Sequence, residues 1–222
     1  DHPELDTSDL LDEDGIARYQ SLIGILQWTI TLGRFDVGTA VMTMSGFRVA
    51  PREGHMARLR RICGYLVRFS EGCIRIRMEK PDYSGLPDYD QDWARSVYGN
   101  VKEALPKNCP EPKGKSVCTT TYKDANLYHD VTTGRAVTGV LHFINKTPID
   151  WYSKKQSTVE ISVFGMEFYA TKHGIENLCG IRYKLHMMGA PMKGALYVYG
   201  NNMSVVTSMS RSESTLKKKS NL

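Results

Sequence analysis

The stretch 119-TTTYKDANLYHDVTTGRAVTGVLHFINKTPIDWYSK-154 decides the fold. TTTYKDAN, residues 119–126, is rich in β-favouring threonine and tyrosine and reads as a strand. YHDVTTG, 128–134, carries turn residues, and RAVTGVLHFIN, 135–145, reads as a second strand. Lys146 and Thr147 make a turn, and PIDWYSK, 148–154, is a third strand. Three strands joined by such short connections form an antiparallel meander.

Downstream the period changes. Phe164, Phe168, Ile175, Leu178, Ile181 and Leu185 form the apolar stripe of a long helix over about 162–187. ALYVYGNNMSVV, 195–206, then reads as a strand over 195–200 broken at Gly200, with a short helix over about 203–209. Meander, helix, strand and helix together predict an α/β unit with a mixed sheet and helices packed on it. Asn201 falls at the end of the fourth strand, where α/β folds present chemistry.

Upstream the chain reads as helical. Ile16, Tyr19, Leu22, Ile23, Leu26 and Ile30 lie at helical spacing over 16–32. A second helical stretch covers about 35–47. Pro51 precedes a third, 53–69, whose stripe is Met56, Leu59, Ile62, Leu66 and Phe69. CIRIRME, 73–79, alternates apolar and charged residues and predicts a half-exposed strand. Residues 80–116 are rich in Pro, Gly and Asp and read as a connector with one helical piece near 92–104. The expected units are therefore an acidic flexible head (1–15), a helical segment (16–79), the connector (80–116) and an α/β domain (117–222).

Bulk composition narrows the classes. Hydrophobic residues at 41% and charged residues at 24% of 222 suit a soluble globular chain. No apolar run is long enough to span a membrane, and the acidic start does not look like a secretion signal. The expected setting is intracellular, cytoplasmic or nuclear. Five scattered cysteines without a C-x-x-C pair argue against a disulfide framework or a structural zinc site. Residues 1–14 hold seven Asp or Glu and no Lys or Arg, so the net charge of +5 conceals +12 on the rest. A body that basic suits a polyanionic partner.

YQSLIGILQW (19–28), FDV (35–37), PREGHMARLRRICGYL (51–66), TPIDWYSKKQSTVE (147–160) and MEFYA (166–170) resemble a copia-type retrotransposon polyprotein. The similarity runs over nearly the whole chain after residue 15. It covers the C-terminal, thumb-like part of the reverse transcriptase and then the ribonuclease H domain. The Y-x-D-D signature of the polymerase palm is absent, and YKDA at 122–125 has only one of its aspartates. The resemblance implies a ribonuclease H-like mixed sheet with flanking helices, preceded by a mainly helical thumb or connection segment. The implied activity is cleavage of the RNA strand of an RNA–DNA hybrid, with two Mg²⁺ (or Mn²⁺) ions clamping the scissile phosphate. The implied partners are hybrid duplex and the remainder of the polyprotein, with no membrane.

By that resemblance Asp124 matches the metal-bridging aspartate and Glu167, preferred over Glu160 and Glu176, the helix glutamate. Asn201 stands where related sequences carry an aspartate before asparagine. A fourth acid is expected beyond Lys-Ser-Asn-Leu, so the domain reads as truncated. An amide offers one neutral oxygen where a carboxylate offers charge and two oxygens, which predicts impaired catalysis. The alternative is a non-catalytic nucleic-acid-binding or structural remnant. The expected phosphate contacts are Arg58, Arg60 and Arg61, among eight arginines in 48–77, with Lys154 and Lys155. Lys217, Lys218 and Lys219 are further candidates. His129 and Asp130 read as turn residues and His142 as a packing residue.

Overall fold

The computed structural model describes residues 2–86, 103–192 and 194–210. Five α-helices and four strands are assigned among them: α1 (Glu13–Thr31), α2 (Gly38–Ser45), α3 (Glu53–Arg68), β1 (Thr119–Asn126), β2 (Val137–Ile144), β3 (Thr147–Lys155), α4 (Val163–Met187), β4 (Tyr197–Tyr199) and α5 (Met203–Met209). The helical piece expected near 92–104 falls mostly outside the described residues, as do Lys217, Lys218 and Lys219.

The three N-terminal helices share one apolar core. Tyr19, Ile23 and Leu26 of α1 meet Val41 and Met44 of α2 and Met56 and Leu59 of α3. The Tyr19 hydroxyl donates to the Met44 carbonyl at 2.7 Å, so the one polar atom of this buried ring is satisfied. Asp12 caps α1 by accepting from the Gly15 amide at 2.8 Å.

The acidic head, expected to be flexible, lies against the start of α3. His55 Nδ1 accepts the Arg52 amide at 3.1 Å, while Nε2 bonds the Pro3 carbonyl at 2.8 Å. These contacts place the ring proton on Nε2. The Ser8 hydroxyl accepts the Gly54 amide at 2.8 Å, and the Asp9 carbonyl accepts the Glu53 amide at 2.9 Å. The first amides of a helix have no partner within it, and the head supplies them. A Cβ on Gly54 would lie 1.9 Å from Asp6 Oδ2, so glycine here leaves the Asp6 carboxylate its place against α3.

Residues 73–79, expected as a strand, pair with no strand among the described residues. Thr147 takes over instead: its hydroxyl accepts the Arg77 amide at 2.6 Å and donates to the Arg77 carbonyl at 3.1 Å. Asn145 Nδ2 donates to the Met78 carbonyl at 3.1 Å. The segment is fastened by side chains at the β2–β3 turn, so its alternation never becomes a ladder.

The sheet has the order β3-β2-β1-β4. β1 pairs antiparallel with β2, β2 antiparallel with β3, and β1 parallel with β4 through Tyr122↔Tyr199. The parallel pair needs a crossover, and α4 provides it. Thr119, Thr121, Lys123 and Ala125 alternate as buried residues of β1. Met166 and Ala170 of α4 pack beside Ala125 and Ala136, and Gly174 approaches Thr121 and Val140. The result is a mixed α/β unit with flanking helices. Among the described residues, no helix is long and apolar enough to cross a membrane.

The helical unit touches the sheet's other side. Phe35 packs on Trp151 at a ring distance of 5.0 Å, and Thr43 bonds His129 at 3.2 Å. Tyr122 stacks on Tyr199 at 4.7 Å and Tyr83 on Tyr197 at 3.7 Å, which gives this face an aromatic surface.

Candidate functional site

Three sequence positions point to one end of the β1–β4 pair, and the structure brings them there in two separate arrangements. Asn201 Nδ2 donates to Asp124 Oδ1 at 3.4 Å, and both residues are exposed. Their proximity follows from register. Tyr122 is opposite Tyr199, so two residues further along each chain Asp124 and Asn201 meet.

Glu167 has a different partner. It is only 2% exposed, in the first turns of α4, and its Oε2 accepts from Lys123 Nζ at 2.6 Å. The ammonium end is as buried as the carboxylate, with side-chain exposures of 1% and 3%. Successive strand residues point to opposite faces. Lys123 therefore turns toward α4 and Asp124 away from it.

Gly200 completes this arrangement. A Cβ there would lie 2.2 Å from Lys123 Cε and 2.6 Å from Nζ. The lysine runs across the end of β4 through space that any side chain would fill.

The competing acids are differently engaged. Glu160 accepts from the Thr158 hydroxyl, and Glu176 lies 3.7 Å from both Lys172 and His173 on the exposed side of α4. Asp130 accepts from the Thr132 and Thr133 amides and the Thr133 hydroxyl, the turn role expected of it. It also pairs with Lys155. Burial pushes the Asp130 carboxyl up, but its bonds to Lys155 and Thr133 outweigh that and leave it far below the ordinary aspartate value.

A cavity of about 760 Å³ opens beside Asp124, between the helical unit and the sheet. Gln27, Met42, Tyr122, Asp124, Trp151 and Lys154 are among its lining residues.

The expected phosphate contacts divide. Arg60 and Arg61 are exposed on α3, and Lys154 is exposed on β3. Arg58 is half-buried and its charge acts on Asp6, whose carboxyl is lowered chiefly by hydrogen bonds from Ser8. Lys155 is occupied by Asp130.

A divalent cation is a poor match for these donors. Hard cations need several anionic oxygens converging on one point. Asp124 faces a neutral amide, and Glu167 is bonded to an ammonium. Among the described residues, no group of three or more His, Cys, Asp or Glu is arranged to hold a metal ion.

Lys123, Gly200 and the buried Arg182 were not among the residues expected to matter. Alternation along TTTYKDAN is the signal that exposes Lys123, because it sets the lysine on the face shared with Thr119, Thr121 and Ala125.

No family model, curated protein or solved structure matches this chain.

Proposed function

We propose that this chain is a ribonuclease H-like module of a copia-type retroelement polyprotein, which holds RNA–DNA hybrid and cleaves it weakly or not at all. The observation that carries this reading is the meeting of Asp124 and Asn201 at the end of a parallel β1–β4 pair, inside the order β3-β2-β1-β4. A hydrolase of that type concentrates negative charge there, and this chain sets the neutral amide of Asn201 against the exposed carboxylate of Asp124.

Duplex binding is supported by the charge of +12 outside the acidic head and by exposed Arg60, Arg61 and Lys154. Phosphate contacts of this kind need no base recognition. The compartment that suits such a substrate is the cytoplasm or nucleus, alongside the rest of the polyprotein.

A second reading is a purely structural element of the polyprotein, and the Lys123–Glu167 ion pair favours it. One experiment separates the two readings. The chain is titrated with a labelled hybrid and then incubated in Mg²⁺ or Mn²⁺. Salt-sensitive binding with cleavage near background supports the proposal. Absence of binding at low salt supports the structural element. Robust cleavage abolished by Asp124→Asn shows that the site is competent and the impairment reading wrong.

A further inference from the structure

We infer that the Lys123 ammonium is this chain's resident cation at Glu167, occupying the carboxylate that a divalent ion would need and excluding such an ion from it. Gly200 is the residue that gives the lysine room. The inference rests on the ribonuclease H-like reading only for the comparison with a metal site. The ion pair and its geometry stand without it.

Three observations converge. Lys123 Nζ is 2.6 Å from Glu167 Oε2, and both side chains are almost fully buried. The amine is aligned by the strand pleat, which turns Lys123 to α4 while Asp124 faces the other way. Gly200 lies so close that a Cβ would come within 2.2 Å of Lys123 Cε.

The electrostatic consequence is direct. A metal ligated by Glu167 would sit roughly 2–2.5 Å from its oxygen, in contact range of a fixed positive charge. Like charges that close repel strongly where water is excluded. Lys123 also removes the reason for a metal, since it already neutralises Glu167. The buried carboxylate then ties α4 to β1 without an ion.

A specific consequence follows for repair of the site. Restoring charge by Asn201→Asp leaves the ammonium in place and does not recover metal binding. Access of a metal to Glu167 requires replacement of Lys123.

The test uses Mn²⁺ alone, without nucleic acid, read by electron paramagnetic resonance on the full chain. The unmodified protein and Asn201→Asp are expected to bind no better than each other. Lys123→Ser, which frees the Glu167 carboxylate, is expected to bind at least about tenfold tighter, a difference of about 1.4 kcal/mol. Equal binding by the unmodified protein and Lys123→Ser overturns the inference.

A folding failure of Lys123→Ser is covered by a measurement on the natural sequence. In ¹H–¹⁵N spectra of lysine side chains, Lys123 should give a slowly exchanging ammonium signal that Glu167→Gln abolishes or moves. A Lys123 ammonium that exchanges like surface lysines, indifferent to Glu167→Gln, overturns the inference. Neither readout depends on hybrid binding, so failure here is distinguishable from failure of the proposed function.

Discussion

Arg182 Nε donates to Glu103 Oε1 at 2.8 Å, and a second guanidinium nitrogen pairs with Glu103 Oε2. The same guanidinium donates to the Thr119 hydroxyl at 2.8 Å and the Gly194 carbonyl at 3.3 Å. One side chain thus joins the connector, α4, the start of β1 and the approach to β4. Arg182→Met should lower unfolding free energy by about 2–3 kcal/mol, because it leaves hydrogen-bonding groups of Thr119 and Gly194 without their donor. Urea denaturation with fluorescence detection measures it.

The same pair gives a pH dependence with a definite sign. Arg182 is the main cause of the lowered Glu103 pKa. A carboxyl lowered in the folded state contributes stability above its unfolded value of 4.5, and that contribution is lost as pH falls through the folded value. Glu103 is partly exposed, so water screens the effect. Glu103→Gln should therefore be less stable than the natural chain near neutrality, and the gap should narrow in acid. A gap that stays constant down to the acid limit would rule this origin out.

His142 adds a second loss of stability in acid, from a different cause. It is 0% exposed, and among the described residues neither ring nitrogen has a hydrogen-bond partner. Burial pushes its pKa below the ordinary 6.5, against a weaker upward pull from Asp150. The unfolded chain then binds the proton more readily, so stability falls as pH drops below 6.5. His142→Leu should remove that loss and stabilise the sheet by about 1–3 kcal/mol, since it deletes buried polar atoms without partners. Parallel urea titrations above and below that pH, for both proteins, decide it.

Much of the fold is legible in residue order, and the failures have physical reasons. The alternation in TTTYKDAN and the apolar spacing from Phe164 to Leu185 locate β1 and α4, because periods of two and 3.6 reflect backbone geometry. CIRIRME has the same alternation yet pairs with no strand among the described residues. Period alone says nothing about whether a partner edge is available, and Thr147 captures its backbone instead. The head looked like solvated acid, since charge density favours disorder. Its docking depends on Gly54 and His55 offering a surface for Pro3 and Ser8. Asp124 and Asn201 meet through the β1–β4 register, Nδ2 to Oδ1 at 3.4 Å. The Glu167 partner was hidden because a lysine inside a strand usually reads as exposed, and only face assignment turns it inward.

The basic surface should behave according to the division among its residues. Arg60→Ala with Arg61→Ala should weaken hybrid binding on every sequence tested and flatten the salt dependence. Each lost phosphate contact reduces the log–log slope by about 0.9. Arg58→Ala should affect stability of the docked head more than binding. Fluorescence anisotropy across a salt series reads both. Unchanged slopes for the Arg60 and Arg61 variant would make α3 a solvated face rather than a contact surface.

Two glycines of α3 offer a matched test of head docking. Gly64 has no neighbouring atom within 4 Å of an added Cβ, so Gly64→Ala should stabilise the helix by about 0.5–1 kcal/mol through reduced backbone entropy loss. Gly54 lies in the same helix, but an added Cβ would meet the Asp6 carboxylate at 1.9 Å. The propensity gain is then opposed by displacement of Asp6, which carries Ser8 with it through the Ser8 amide at 3.0 Å. Gly54→Ala should therefore gain less than Gly64→Ala or lose stability outright. Hydrogen exchange provides the local readout. The Gly54 and Glu53 amides, protected by Ser8 and Asp9 in the natural chain, should exchange faster in Gly54→Ala and unchanged in Gly64→Ala. Equal protection in both variants would mean that the head does not depend on the gap at Gly54.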